Sequence, residues 1–236
     1  MQDFRCDITV DIHDVDFNGV ARASALMKYI QSAAQSQLTV NGMSYDELKR
    51  KNRVFVLSKI KMEFTDTIRA YEPLTAITYP ANSRGYSFLR CYKLKKDGIT
   101  VGRAVAVWAL LDTETHGLVR VNDFDLGLTT YDVLDMPLSR ILIPRDISPV
   151  GKYTVNYADT DQNRHMNNTR YPDMYSSFLP LENRRIENIT ISYLSEAPMG
   201  DTLTVERAEA DGVFYFRTIS SDGKVNTEAE ITLTDV

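Results

Sequence analysis

The run Asp14-Val-Asp-Phe-Asn-Gly-Val20 returns 145 residues downstream as Asp159-Thr-Asp-Gln-Asn-Arg-His165. Asp14, Asp16 and Asn18 recur as Asp159, Asp161 and Asn163, while Val20 gives way to His165. A weaker echo sets Arg69-Ala-Tyr-Glu-Pro-Leu-Thr75 against Pro198-Met-Gly-Asp-Thr-Leu-Thr204, 129 positions on. A chain repeated in this way is expected to fold as two similar halves. Its 236 residues leave room for two domains of roughly 100 residues, each able to bury a core. Only the second copy carries an imidazole, so one working site is expected.

The residues around each copy predict the same succession of elements. Phe4, Cys6, Ile8, Val10 and Ile12 alternate with polar residues, as in a strand with one buried face. From Ala23 to Val40 the apolar positions Leu26, Tyr29, Ile30, Ala33, Ala34 and Leu38 follow helical spacing, and Asn41-Gly42 supplies a stop. Ser44 and Glu47 form a capping-box pattern for a short second helix ending near Arg53. Branched and aromatic residues then predict strands over 54–64, 74–79, 86–94 and 99–112. From about Thr113 to Gly151 the chain has Pro137, Pro144 and Pro149 and no sustained period, which reads as a docked linker. A strand at 153–157, the motif, a helix bearing Tyr171, Met174, Tyr175 and Phe178 with Pro172 in its first turn, and strands at 186–194, 202–210, 214–220 and 225–233 complete the second half. The expected division is residues 1–120, a linker 121–151, and residues 152–236.

Composition excludes several classes. Hydrophobic residues at 43% and charged residues at 25% suit an ordered globular chain. The net charge of −5 argues against general nucleic-acid binding, which needs a basic face. No run approaches the roughly 18 apolar residues of a membrane span, the first residues lack a signal-like apolar core, and a cytoplasmic protein is expected. Cys6 and Cys91 stand apart with no CxxC spacing, against a disulfide framework or a thiolate metal site.

Asp161, Asn163 and His165 alternate just ahead of a predicted helix. A carboxylate, an amide and an imidazole together supply a proton carrier, an orienting or basic group and donors for an oxyanion. The first turn of the helix would add free N–H groups. That inventory suits hydrolysis of an ester or thioester with neither metal nor cofactor. The first copy opens like a calcium loop but has Ala25 where the bidentate glutamate belongs, and helix capping is its better account. His13 and His116 have no comparable company.

Asp161-Gln-Asn-Arg-His165-Met-Asn-Asn168, followed by Tyr193-Leu-Ser-Glu196, resembles the acyl-ACP thioesterases of bacteria and plants. The resemblance implies an α+β tandem, or double, hotdog fold, each half an antiparallel sheet wrapped around a long helix. It implies hydrolysis of fatty acyl chains from acyl carrier protein, without cofactor. Asp161, Asn163 and His165 fall on the family's Asp-x-Asn-x-His loop, and Glu196 on its glutamate at a strand end. Plant members commonly have cysteine next, where this chain has Ala197, so water attack is expected and not a thiol mechanism. Glu196 and His165 are the candidate bases, Asn163 would position His165 or the thioester carbonyl, and Asp161 would orient or act directly as nucleophile.

The first half, lacking the histidine, is then expected to house the acyl tail, with Leu26, Met27, Ile30, Ala34, Val54 and Val56 as candidate contacts. Lys49-Arg-Lys-Asn-Arg53 and Arg184-Arg185 are candidate landing sites for an acidic carrier. An acyl-CoA thioesterase and a non-catalytic acyl-thioester sensor are the competing readings. A hydratase fits less well, because Glu196 would have no task. Both a monomer and a homodimer are compatible with the sequence.

Overall fold

The computed structural model describes residues 3–236; Met1 and Gln2, with which the first half was taken to begin, lie outside the described residues. The first half contains β1 (Phe4–Thr9), α1 (Ala23–Val40), α2 (Tyr45–Arg50), β2 (Arg53–Phe64), β3 (Pro73–Pro80), β4 (Phe88–Lys96), β5 (Ile99–Asp112) and the two-residue β6 (Leu118–Val119). The second contains β7 (Ser148–Thr154), α3 (Tyr171–Ser176), β8 (Arg184–Tyr193), β9 (Thr202–Ala210), β10 (Val213–Ile219) and β11 (Val225–Asp235). All strands join one antiparallel sheet in the order β1-β3-β4-β5-β2-β8-β11-β10-β9-β7, with β6 beside β5. The order reads the same from either edge once each strand is matched to its repeat. This is the double hotdog that the motif led us to expect.

The seam between the halves is β2 against β8. Ile60 pairs with Ile191, Met62 with Ile189, and Lys61 with Thr190 between them. Lys61 and Thr190 are themselves 129 positions apart, the spacing of the weaker sequence echo. A pseudo-twofold axis therefore passes through this pair. Ile60, Met62, Ile189 and Ile191 are fully buried, so one core runs across the seam.

Helix α1 has the predicted bounds. Leu26, Met27, Ile30, Ala33 and Ala34 are buried on one face, which packs against β1, β3 and β4. It ends where Asn41 and Gly42 bond back to Gln37 and Thr39, with Gly42 at φ 72°. Ser44 Oγ caps α2 by accepting from Glu47 N. The second half departs from expectation here, because α3 has six residues where α1 has eighteen. Arg207 donates to the Phe178 carbonyl and the Phe178 ring lies against Gly151, so the chain after Ser176 leaves the helical path and packs down on β7 and β9. The hotdog layout holds with a truncated second helix.

The stretch read as a linker has two packed parts. Tyr131, Leu134, Met136 and Leu138 cover the outer face of the first-half sheet over Tyr79, Cys91 and Val105. Residues 121–130 line a cavity, described below. Strand β7 begins at Ser148, within the 121–151 stretch. No helix among the described residues is long and apolar enough to cross a membrane.

Candidate active site

The two motif loops share one set of backbone hydrogen bonds. In the first, Asp16 N bonds to Val20 O, Ala21 N to Ile68 O and Arg22 N to Asp14 O. In the second, Asp161 N bonds to His165 O, Met166 N to Ala197 O and Asn167 N to Asp159 O. Asp16 Oδ1 accepts from Asn18 N and Asp161 Oδ1 accepts from Asn163 N, each at 2.8 Å. Asp161 thus builds its turn with one oxygen, as its counterpart does. Gly19 takes φ 71° and Arg164 takes φ 66° at the matching bend.

The copies differ at His165 and Glu196. The His165 bridge to Pro198 brings the loop against the end of β8, and His165 Nδ1 lies 3.3 Å from Glu196 Oε2. The equivalent positions in the first half are Val20 and Thr67, neither of which can exchange a proton at neutral pH. The His165 side chain is 34% exposed and that of Glu196 is 62% exposed, so both can meet a substrate. Asn226, fully buried, fixes the corner from which Glu196 projects: its carbonyl accepts from Leu194 N and Ser195 N, and its side chain bonds the Ser195 carbonyl. Beneath the loop, buried Asp159 is held by Arg170 at 3.3 Å, by Tyr153 Oη at 2.9 Å and by Asn156 N. Burial pushes the phenols of Tyr171, Tyr175 and Tyr193 far up.

The asparagines have diverged in company. Asn18 is locked across the halves: its amide donates to the carbonyls of Leu181 and Arg184 and its oxygen accepts from Asn183 N. Asn163 is exposed, and its Oδ1 accepts 2.8 Å from the hydroxyl of Tyr45, the first residue of α2 in the other half. That bond fixes the amide so that Nδ2 is left to donate outward. The expected donors at the helix start are spent, since Asn167, Thr169 and Arg170 N–H groups all bond within the loop.

Tyr45 also lines a cavity of about 630 Å³ in the first half, a usual size for a small-molecule site. Its walls come from α1, α2, β2, β4, β5 and the 121–130 segment, with Leu48, Phe55, Phe88, Trp108, Phe124 and Leu128 among them. Of the six tail contacts expected from sequence, Ala34 and Val54 line this cavity. Met27 is fully buried in the core, Ile30 packs against Met62 and Tyr92, and Leu26 faces a separate cleft beside the first motif loop. Val56 is not in the lining, which β2 supplies through its first residues, Val54 and Phe55. Sequence reading missed Tyr45, Trp108 and the 121–130 wall; only the apolar spacing of Phe124, Leu126 and Leu128 hinted at the last.

The family description "Acyl-ACP thioesterase N-terminal domain" matches residues 2–125, and "Acyl-ACP thioesterase C-terminal domain" matches residues 145–235. The chain belongs to the acyl-ACP thioesterase family. A chloroplastic palmitoyl-acyl carrier protein thioesterase of Arabidopsis thaliana is 22% identical over 214 residues, covering 82% of this chain and 52% of that protein. The chain thus spans about half the length of the curated relative it matches. An acyl-ACP thioesterase structure from Bacteroides thetaiotaomicron superposes with a TM-score of 0.89 at 22% identity, covering 98% of this chain and 97% of that one. The 12:0-ACP thioesterase from Umbellularia californica superposes with a TM-score of 0.85 at 16% identity, covering 99% and 98%.

Within the family frame, Ala197 is buried and follows Glu196, so no thiol stands beside the His165–Glu196 pair. No group of three or more His, Cys, Asp or Glu among the described residues is placed to hold a metal ion. Of the two basic clusters, Arg185 donates to the Phe64 carbonyl and lines the cleft beside the first motif loop, which removes it from the active loop. Lys49 is exposed one helical turn from Tyr45 on α2, and is the better placed of the two.

Proposed function

We propose that the protein hydrolyses the thioester joining a fatty acyl chain to acyl carrier protein, by water attack, giving the free acid and the carrier thiol. The observation that carries this reading is the Tyr45–Asn163 hydrogen bond, which ties the catalytic loop of one half to the cavity of the other. An acyl tail in the cavity would leave its thioester beside Asn163, His165 and Glu196.

In this reading Glu196 accepts from His165 Nδ1–H and holds the imidazole, leaving Nε2 to take a proton from water. The water oxygen bonds to the acyl carbon while Asn163 Nδ2 donates to the carbonyl oxygen as charge develops there. The carbon–sulfur bond then breaks, and the imidazolium returns its proton to the departing sulfur. Asp161 holds Asn163 by accepting from its backbone N–H. A thioester is already activated, so this set of groups suffices without metal.

Lys49 on α2 and Arg164 in the motif loop are exposed cations near Tyr45 and Asn163 that could meet an acidic carrier. Both cysteines are free, which fits a reducing compartment such as the cytoplasm, where the carrier and its fatty acyl chains would be met. The test is fatty acid release from a chain-length series of acyl-ACPs run beside the matching acyl-CoAs. Faster release from acyl-ACP, reduced by Lys49→Glu for that substrate alone, is the expected result. Preference for acyl-CoA would reassign the substrate, and binding without release would make the protein a sensor.

A further inference from the structure

The cavity wall contains a charge with no counter-charge. Arg90, on β4, is only 6% exposed, and its Nη1 donates to two neutral oxygens, Gln37 Oε1 at 2.6 Å and Thr78 Oγ1 at 3.1 Å. A guanidinium stays protonated in a protein and offers five donors. No carboxylate among the described residues lies within ion-pair distance of it, and its burial disfavours the charge. Asp125, the acid on the cavity lining, is exposed and turns its Oδ1 to Gly127 N. Gln31, on the facing side of α1, lines the same cavity with a buried Nε2 that has no acceptor. An unpaired Gln31 Nε2 and an uncompensated Arg90 charge, in a wall that also holds Ala34, Leu38, Phe88 and Leu89, are costly unless a ligand supplies oxygen.

Position along the cavity decides which part of a ligand would do so. Tyr45 marks the thioester end, beside Asn163. Arg90 lies two strands away from β2 across β5, on the order of 10 Å at ordinary strand spacing. Arg90 therefore stands toward the end of the cavity remote from the thioester, where a plain hydrocarbon would leave its charge uncompensated.

We propose that the cavity selects acyl chains carrying an oxygen group at the end remote from the thioester, with a carboxylate received by Arg90 and Gln31. This deepens the thioesterase reading above and rests on it. A terminal carboxylate accepts two guanidinium N–H groups side by side and neutralises the buried charge.

The test compares acyl-ACPs of equal carbon number ending in methyl, hydroxyl or carboxylate. The wild-type protein is expected to favour the carboxylate-ended chain over the methyl-ended one by roughly 10-fold or more in kcat/KM, the usual effect of a charged hydrogen bond. Gln31→Leu should narrow that preference, and Arg90→Met should abolish it. Hydroxyl-ended chains favoured equally would show that an oxygen acceptor suffices. Methyl-ended chains preferred at every length by the wild-type protein would overturn the proposal, whether or not Arg90→Met folds. Release from no thioester at all would instead remove the hydrolase reading beneath it.

Discussion

His165 and Glu196 are the two site residues that the first motif copy lacks, and both side chains reach solvent. His165→Ala and Glu196→Ala should each lower kcat by roughly 100-fold or more, the range for a lost acid–base group. Their melting temperatures should stay near wild type, since neither side chain is core; turnover close to wild type in both would sink the assignment. Tyr45 acts one step back. Tyr45→Phe removes a hydrogen bond worth about 1 kcal/mol, so a fall of roughly 5-fold in kcat is expected with KM little changed. A matching loss in KM alone would make Tyr45 a wall of the cavity and nothing more. At this scale the sequence was readable where chemistry lies in a contiguous run: Asp161, Asn163 and His165 fall within five positions, and Glu196 came with the family's motif. It was silent on Tyr45, because a tyrosine opening a short helix has no signature until the fold sets it 2.8 Å from an asparagine 118 positions away.

Helix α1 shows why some elements can be read from pattern and others cannot. Eighteen residues with a regular apolar face and an Asn41-Gly42 stop define it locally. Helix α3 has the same spacing in Tyr171, Met174, Tyr175 and Phe178, yet ends at Ser176 because tertiary contacts to Arg207 and Gly151 draw Phe178 away. The 121–130 segment lacks a period because it is neither helix nor strand for most of its length. It is pinned instead at each end of the β3–β4 turn, by Val121 N to Gly85 O and Thr130 Oγ1 to Asn82 Oδ1. Phe55 meets Phe124 edge-on at 6.4 Å between these pins. Ala34 faces this wall from α1. Ala34→Phe should therefore shift the preferred acyl chain to a shorter length while hydrolysis continues, measured on the acyl-ACP series. An unchanged profile with an intact fold would place the tail elsewhere.

The whole molecule couples its halves through one sheet and one core, and it buries an unusual number of phenols. Burial raises Tyr29, Tyr92 and Tyr153 from an ordinary value of 10.0 to about 12, and raises Tyr79, Tyr171, Tyr175 and Tyr193 further. Above pH 10 the unfolded chain loses these protons while the folded one keeps them, so the stability they contribute is whole below pH 10 and drains away above it. The melting temperature should fall steeply from pH 10 to 12; a flat profile there would mean that these side chains are not shielded. The pseudo-twofold layout was legible from the repeats, whereas the inequality of the halves was not, since it depends on where the chain goes after Ser176. That inequality has a consequence for the protein's history and for any attempt to redesign it. Where Asn163 faces an open entrance, Asn18 is clasped by Leu181, Asn183 and Arg184. The first loop serves as mortar between the halves. Val20→His with Thr67→Glu would copy the second loop's side chains into the first, yet added to His165→Ala it should recover no turnover, because the first loop lacks the doorway as well as the reagents.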